Sequence, residues 1–333
     1  MTLVRFAIPK GSMEDATFRF LEEAWSNVHG RSRTYRISLG DPEIGLKLLR
    51  PQEIPTFVHE GMYDVGIAGK DWIEETRADV ERLLDLEYAR VKLILAAPKS
   101  GPYRSLAEMV RWFAKKRRPL RISTEYLSLS AAYVMRCAEY RRRYGTRKPV
   151  TITPWWRTGK NGRVRLLLSF GATEAKPPED ADAIIDNTET GTTLAQNNLR
   201  VLDTIMESSA LLIANKDALA DREKRQKIFD ILSLLKGVVD GRKSLHIFVN
   251  VREDRLAELL SGLPALKRPT VSPLSEKGWF SINTIICKNE FVRVLPTLRR
   301  LAQGLVVHEP RQILPLEEIK QDEEQSPLPL GEG

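Results

Sequence analysis

Residues 181–198 read Ala-Asp-Ala-Ile-Ile-Asp-Asn-Thr-Glu-Thr-Gly-Thr-Thr-Leu-Ala-Gln-Asn-Asn. The apolar run 183–185 has the composition of a buried strand, and it ends in Asp186. A turn of threonine and glycine follows, and 194–202 reads as a helix. Strand, small-residue loop and helix start make a geometry that holds phosphate, because the first N–H groups of a helix have no internal partners. Gly191 lets the backbone approach an anion, and Thr190, Thr192 and Thr193 add hydroxyl donors. Asp186 at the strand end can accept from ribose hydroxyls or help hold Mg²⁺. An ordinary βα turn capped by threonine has the same short signature.

At 333 residues with 42% apolar content, the chain is long enough for two or three domains with real cores. Charges interrupt every apolar run, so no window reaches a membrane-spanning length, and the N-terminal residues enter a strand without a signal-like apolar region. Cys137 and Cys287 are far apart and fit a reducing, cytoplasmic setting. The histidines at 29, 59, 246 and 308 show no zinc-type spacing. A net charge of +8 points to anionic partners, either a polyphosphate substrate or nucleic acid. Much of the excess lies in 111–121 and 136–148, interleaved with Trp112, Phe113, Tyr140 and Tyr144. A solvated helix face explains such runs better than an RNA surface, since no RNA-binding motif accompanies them.

Taken in order, 3–8 reads as a strand ending at Lys10-Gly11, and Ser12 with Asp15 resembles a capping box for the next helix. Lys10 and Gly11 thus sit between a strand end and a helix start, where open α/β sheets bind ligands. A strand is expected over 34–39, a short helix after Arg50 ending near Gly61, a strand over 64–68 and a helix opening at Gly69-Lys70-Asp71-Trp72. Gly66-Ile-Ala-Gly-Lys70 has the wrong spacing for a mononucleotide loop, and Gly241-Arg-Lys-Ser fails likewise. A strand over 91–97 precedes a second α/β pattern: helix 105–115, strand 120–124, a long basic helix 129–144, then a β pair turning at Asn161-Gly162. A helix runs from 216 to about 239, with Ile228, Ile231, Leu235 and Val238 on one face. Beyond it the order strand 244–251, helix 253–262, strands 269–274 and 279–287, helix 289–303 and strand 304–309 is the ferredoxin-like plan. The acidic, Pro-containing tail from 313 has a disordered composition.

The run Asp186-Asn-Thr-Glu-Thr-Gly-Thr-Thr-Leu194, continued by Val201-Leu-Asp-Thr-Ile-Met-Glu-Ser-Ser-Ala-Leu-Leu-Ile-Ala-Asn215, resembles the phosphoribosyl-pyrophosphate (PRPP) loop of ATP phosphoribosyltransferases. Pro9-Lys10-Gly11, Tyr63-Asp-Val-Gly-Ile-Ala-Gly-Lys-Asp-Trp72, Ser123-Thr-Glu-Tyr126 and the segment 169–178 resemble further blocks of that family, with Glu53 and Leu127 departing from it. The segment 267–274 with Gly278-Trp279 resembles the C-terminal domain of the long form. The resemblance implies an α/β fold with a two-lobed, periplasmic-binding-protein-like catalytic region, lobe 1 over 1–97 and 179–240 and lobe 2 over 98–178. A ferredoxin-like α+β regulatory domain over 241–312 follows.

It also implies phosphoribosyl transfer from PRPP to N1 of ATP with Mg²⁺, opening histidine biosynthesis, in a homo-hexamer or dimer inhibited by histidine. Neither nucleic acid nor a membrane is an expected partner. Lys10, Arg50, Glu174 and Asp186 become candidate catalytic residues, with Asp186 also the candidate metal ligand. Asp186, Thr188, Glu189, Thr190, Gly191, Thr192 and Thr193 become PRPP contacts, and Gly11, Lys70 and Asp71 other cleft contacts. Thr270 and Ser272 become the regulatory histidine contacts. By its chemistry alone Glu174 could equally be a surface carboxylate. A non-catalytic two-lobed small-molecule sensor is the rival reading, since fold does not fix function.

Overall fold

The computed structural model describes residues 3–29, 35–264 and 269–314. Its described chain forms two compact units, one built from Val4–Glu14 and Leu46–Asp221, the other from the remainder. One six-stranded sheet has the order β2 (Arg36–Ile37), β3 (Ile44–Leu49), β1 (Val4–Pro9), β4 (Val65–Gly69), β13 (Ala210–Ala214), β5 (Glu81–Asp85). β1 and β4 are parallel, with Phe6 opposite Val65, and β13 runs antiparallel to β4. β4 and β13 are buried along their whole length, which is why they read as unbroken apolar runs. Helices α2 (Ile54–His59) and α3 (Lys70–Thr76) bring Ile54, Val58 and Ile73 against Ala7, Ala68 and Ile213.

A seven-stranded sheet has the order β12 (Leu199–Ser208), β6 (Val91–Pro98), β11 (Ala183–Thr188), β7 (Leu120–Thr124), β10 (Asn161–Leu168), β8 (Pro149–Ile152), β9 (Arg157–Thr158). α4 (Leu106–Lys115), α5 (Leu127–Arg136) and α6 (Ala138–Tyr144) supply Met109, Phe113, Val134 and Tyr140 to a core with Leu120, Ile122, Val164 and Leu166.

Both lobes use one fastening. Arg5 on β1 gives its N–H, Nε and Nη2 to Asp64, which directly precedes β4. Arg121 on β7 does the same to Asp182, which directly precedes β11. The two aspartates are 2% and 7% exposed, so each is a buried charge satisfied by a forked cation. Strand register repeats as well: Phe6 faces Val65 and Ile122 faces Ala183.

Several expectations need correction. β11, the strand of the opening stretch, lies between β6 and β7, so it and β6 belong to the second lobe's sheet and not to the first. The chain crosses between the sheets at 86–90 and at Ser209. The expected helix 194–202 is one short helix, α7 (Thr192–Gln196), followed by β12, because pairing along β6 overrides the local helical pattern. The expected helix 129–144 breaks at Cys137, whose extended backbone caps α5 and starts α6. Asn161-Gly162 is no hairpin turn: β8 and β10 are parallel, and Asn161 is buried with its amide on the Tyr140 hydroxyl at 2.9 Å. At the start of α1 (Glu14–Ala24) the Glu14 carboxylate accepts the Gly11 N–H at 3.0 Å. The helix from 216 is two, α8 (Lys216–Ala220) and α9 (Arg222–Lys243).

The other unit holds α9 and a four-stranded antiparallel sheet. Its elements are β14 (Ser244–Arg252), α10 (Glu253–Gly262), β15 (Thr270–Pro273), β16 (Trp279–Cys287), α11 (Lys288–Leu301) and β17 (Ala302–His308). The order β15-β16-β14-β17 is ferredoxin-like, with Ile247, Val249, Ile282 and Ile286 packed beneath Leu259, Val294 and Leu298. Ile313, expected within a disordered tail, instead donates its N–H to Gly237 of α9 at 2.9 Å. Residues 315–333 of that tail, and 34 and 267–268 of the quoted segments, lie outside the described residues.

Candidate active site

Asp186 stands near the carboxyl end of β11, the side of a parallel sheet on which ligands bind. Its Oδ1 accepts the Asn187 N–H at 2.7 Å, and its Oδ2 accepts the Thr173 hydroxyl. Burial pushes the carboxyl up to about 6; these two hydrogen bonds oppose the rise, and the nearby charges of Glu125 and Glu174 add to it. Thr173 and Glu174 lie on a 3-10 turn, Thr173–Ala175, entered through Ala172 in a left-handed conformation. Glu125 follows β7; it accepts the Gly171 N–H at 2.7 Å and the Gln52 amide at 3.3 Å. That second bond brings the 50–53 turn of the first lobe beside the second.

The 188–193 loop is held from within. The Gly191 N–H donates to the Thr188 hydroxyl at 3.0 Å, and the Thr190 and Thr192 hydroxyls lie 2.9 Å apart. Gly191 has φ +78 and nothing within 4 Å of a built Cβ, so glycine is required by conformation and not by space. Glu189, Thr190, Thr192 and Thr193 face solvent.

On the first lobe, Lys10 follows β1 and Gly11 has φ +91; the Lys10 N–H donates to Leu49 O at 2.8 Å. Arg50 is exposed in the turn after β3. Lys70 opens α3, its N–H on Ser209 O at 3.0 Å. All three cations therefore sit at strand ends or helix starts. Asp71 is a correction. It is 3% exposed, and its carboxylate is occupied by the Tyr126 and Ser208 hydroxyls, so it faces the fold and not the cleft. Glu125, Tyr126, Thr173, Asn187 and Ser208 were not singled out from sequence; the quoted blocks contain all of them, but only tertiary contact assigns them.

Within the other unit, Thr270 and Ser272 lie exposed on β15, opposite Asn283 and Ser281, on the sheet face away from α10 and α11. The long 141–168 segment forms α6's end, the β8–β9 hairpin and β10; the hairpin's tip is fixed by the Thr153 hydroxyl, and there Trp155 meets the Phe170 ring at 5.9 Å. A cavity of about 330 Å³ lies under the 169–181 connection, lined by Ser123, Phe170 and Lys176 among others, and contains none of the candidate residues. The basic run spends charge internally: Arg142 and Arg143 bond Glu139, holding its carboxyl down at about 2. Among the described residues no cluster of three or more His, Cys, Asp or Glu is placed to hold a metal, and no helix is long and apolar enough to cross a membrane.

Two lobes, an acidic strand end and a threonine–glycine loop at the carboxyl edge place the chain among α/β proteins built to hold a phosphorylated ligand. The family model described as ATP phosphoribosyltransferase matches residues 50–237, and that of the HisG C-terminal domain matches 241–309. An ATP phosphoribosyltransferase of Solibacter usitatus is 35% identical over 311 residues, 91% of this chain and 96% of the relative. One of Pelotomaculum thermopropionicum is 35% identical over 312 residues, covering 92% and 97%. An ATP phosphoribosyl transferase (HisG:HisZ) complex from Thermotoga maritima contains a chain of the same fold, with TM-score 0.53 and 23% identity over 72% of this chain and 99% of that one. The chain belongs to the ATP phosphoribosyltransferase family, in its long form. Its activity is the family's, phosphoribosyl transfer in the first step of histidine biosynthesis, and the sensor reading is set aside.

Proposed function

We propose that transfer takes place at the carboxyl end of β11, with the 188–193 loop holding the 5′-phosphate of PRPP and Asp186 the ribose hydroxyls. The observation that carries this is the loop itself: Gly191 is in a left-handed conformation, the exposed Thr190 and Thr192 hydroxyls lie 2.9 Å apart, and the loop directly follows the strand end that carries the half-buried Asp186. N1 of the ATP adenine attacks the ribose C1, the C1–O bond to pyrophosphate breaks, and its electron pair leaves with the pyrophosphate. C1 gains positive charge while the leaving group gains negative charge. Lys10, Arg50 and Lys70 stabilise the leaving group, and Glu174, beside Asp186, orients the ribose. ATP is itself the nucleophile, so positioning two anions supplies most of the catalysis.

Asp186 alone does not make a metal cage, since among the described residues no group of three or more His, Cys, Asp or Glu is placed to hold an ion; with one donor on each oxygen, its carboxylate keeps acceptor capacity. Mg²⁺ takes one or two carboxylates together with substrate phosphates, so the donor set fits an ion that enters with PRPP. When bound, it neutralises charge on the departing pyrophosphate.

Thr270 and Ser272 offer hydroxyls for a regulatory histidine on the open sheet face, and a homo-oligomer, hexamer or dimer, is the expected assembly. Two free cysteines and a biosynthetic role fit the cytoplasm. In steady-state assays Thr192→Ala and Asp186→Ala each lose about ten- to a thousandfold in kcat/KM for PRPP, with KM for ATP little changed. Normal PRPP kinetics in both variants would remove the loop assignment.

A further inference from the structure

A chain of hydrogen bonds, buried at Asp71, Tyr126 and Ser208 and reaching the surface at Asn187, joins the lobes, and the chemistry of transfer does not itself require it. Asp71 Oδ2 accepts the Tyr126 hydroxyl at 2.6 Å, and its Oδ1 accepts the Ser208 hydroxyl at 2.7 Å. Ser208 Oγ accepts the Asp71 N–H in return at 3.1 Å. The Tyr126 hydroxyl also accepts the Asn187 side-chain amide at 2.9 Å. Both hydroxyls thus donate once and accept once, and neither carboxylate oxygen is left over. Tyr126 is 1% exposed, and its ring stacks on Trp72 with centroids 4.4 Å apart. Gly69 makes room for the fold-back, since a Cβ there would collide with Asp71 Oδ1. Among the described residues no cation pairs with Asp71. A carboxylate buried without a cation is costly, and a fully satisfied network of this kind fixes one geometry.

Both ends of the chain adjoin the site. Asp71 follows Lys70 at the start of α3, and Asn187 follows Asp186 and donates its own N–H to it at 2.7 Å. We propose that Tyr126 is a positioning residue for the transfer, tying the helix start that carries Lys70 to the strand end that carries Asp186. It spans the lobes: Asp71 belongs to the first, Tyr126 and Asn187 to the second. This rests on the placement of Lys70 and Asp186 in the site. Tyr126 touches neither substrate; it fixes the separation of two groups that act on opposite charges of one transition state, and a small misplacement of such groups is felt chiefly in kcat.

The test is steady-state kinetics of Tyr126→Phe, Asn187→Ala and the double variant, with Lys70→Ala and Asp186→Ala measured alongside. Tyr126→Phe is expected to lower kcat roughly ten- to hundredfold while KM for ATP stays within about threefold. The double variant is expected to lose no more than the worse single one, because both break the same chain. Folded Tyr126→Phe that keeps kcat within about twofold, beside inactive Lys70→Ala and Asp186→Ala, overturns the relay and leaves the site standing. Losses that multiply in the double variant overturn it too. Normal Lys70→Ala and Asp186→Ala remove the site assignment and the relay with it. If Tyr126→Phe does not fold, Asn187→Ala, at an exposed position, decides alone: lowered kcat supports the relay and unchanged kcat overturns it.

Discussion

Asp186 carries a charge that its surroundings resist. Its carboxyl is pushed up to about 6, first by burial and then by the charges of Glu125 and Glu174, despite donors from Thr173 and Asn187. The folded state therefore holds this proton more tightly than the unfolded chain, whose aspartates titrate near ~3.9. Stability from this group is full below pH ~4 and declines as pH rises through about 6. Asp186→Asn removes the ionised form. Urea unfolding should show the variant more stable than the parent by about 1–3 kcal/mol at pH 8, with no such gain at pH 4. An equal effect at both pH values would contradict the assignment. The residue was legible in sequence because an acid ends an apolar run just before Thr-Gly-Thr. Asp71 was misread for a related reason: it stands beside Lys70 at a helix start, and only tertiary packing shows that both its oxygens point inward.

The elements of the two lobes are fastened alike. Asp64 and Asp182 each terminate a loop and receive three donors from the arginine of the neighbouring parallel strand. Asp64→Ala and Asp182→Ala should each destabilise by about 2–3 kcal/mol in denaturant unfolding, below the range for fully buried pairs because the arginines are partly exposed. A loss below about 0.5 kcal/mol would show the fork to be incidental. A second tie lies at α5, whose first N–H groups, of Ser128 and Leu129, donate to Glu75 of α3 at 2.8 and 2.9 Å. Burial raises the Glu75 carboxyl against these bonds. The parallel strands β1, β4, β7 and β11 were legible because strands buried on both faces are short apolar runs with sharp ends. β3 and β5 were not recognised. The first residues of β12, 199–202, were read as the end of a helix from 194, and what decides is pairing with β6, more than a hundred residues earlier. Asn161-Gly162 misled because the same dipeptide serves a turn or, as here, a strand start whose amide is buried.

For the whole molecule, the alternation of strands and helices showed two α/β lobes and a ferredoxin-like module, and both are present. The sharing of strands between lobes was not legible: β6 and β11 join the second sheet through long-range pairing that no local pattern encodes. The motifs pointed to residues at strand ends and helix starts, while Glu125 and Tyr126, whose partners lie across the lobes, were not singled out because only tertiary contact gives them those partners. The central claim is that this chain transfers a phosphoribosyl group from PRPP to ATP at the end of β11. Pyrophosphate release from PRPP, measured with Mg²⁺ in the presence and absence of ATP, tests it most directly, with Thr192→Ala as comparison. Release that requires ATP and falls at least about tenfold in Thr192→Ala at subsaturating PRPP is the predicted result. Folded protein that releases no pyrophosphate with both substrates present, or releases it equally well without an intact loop, would contradict it.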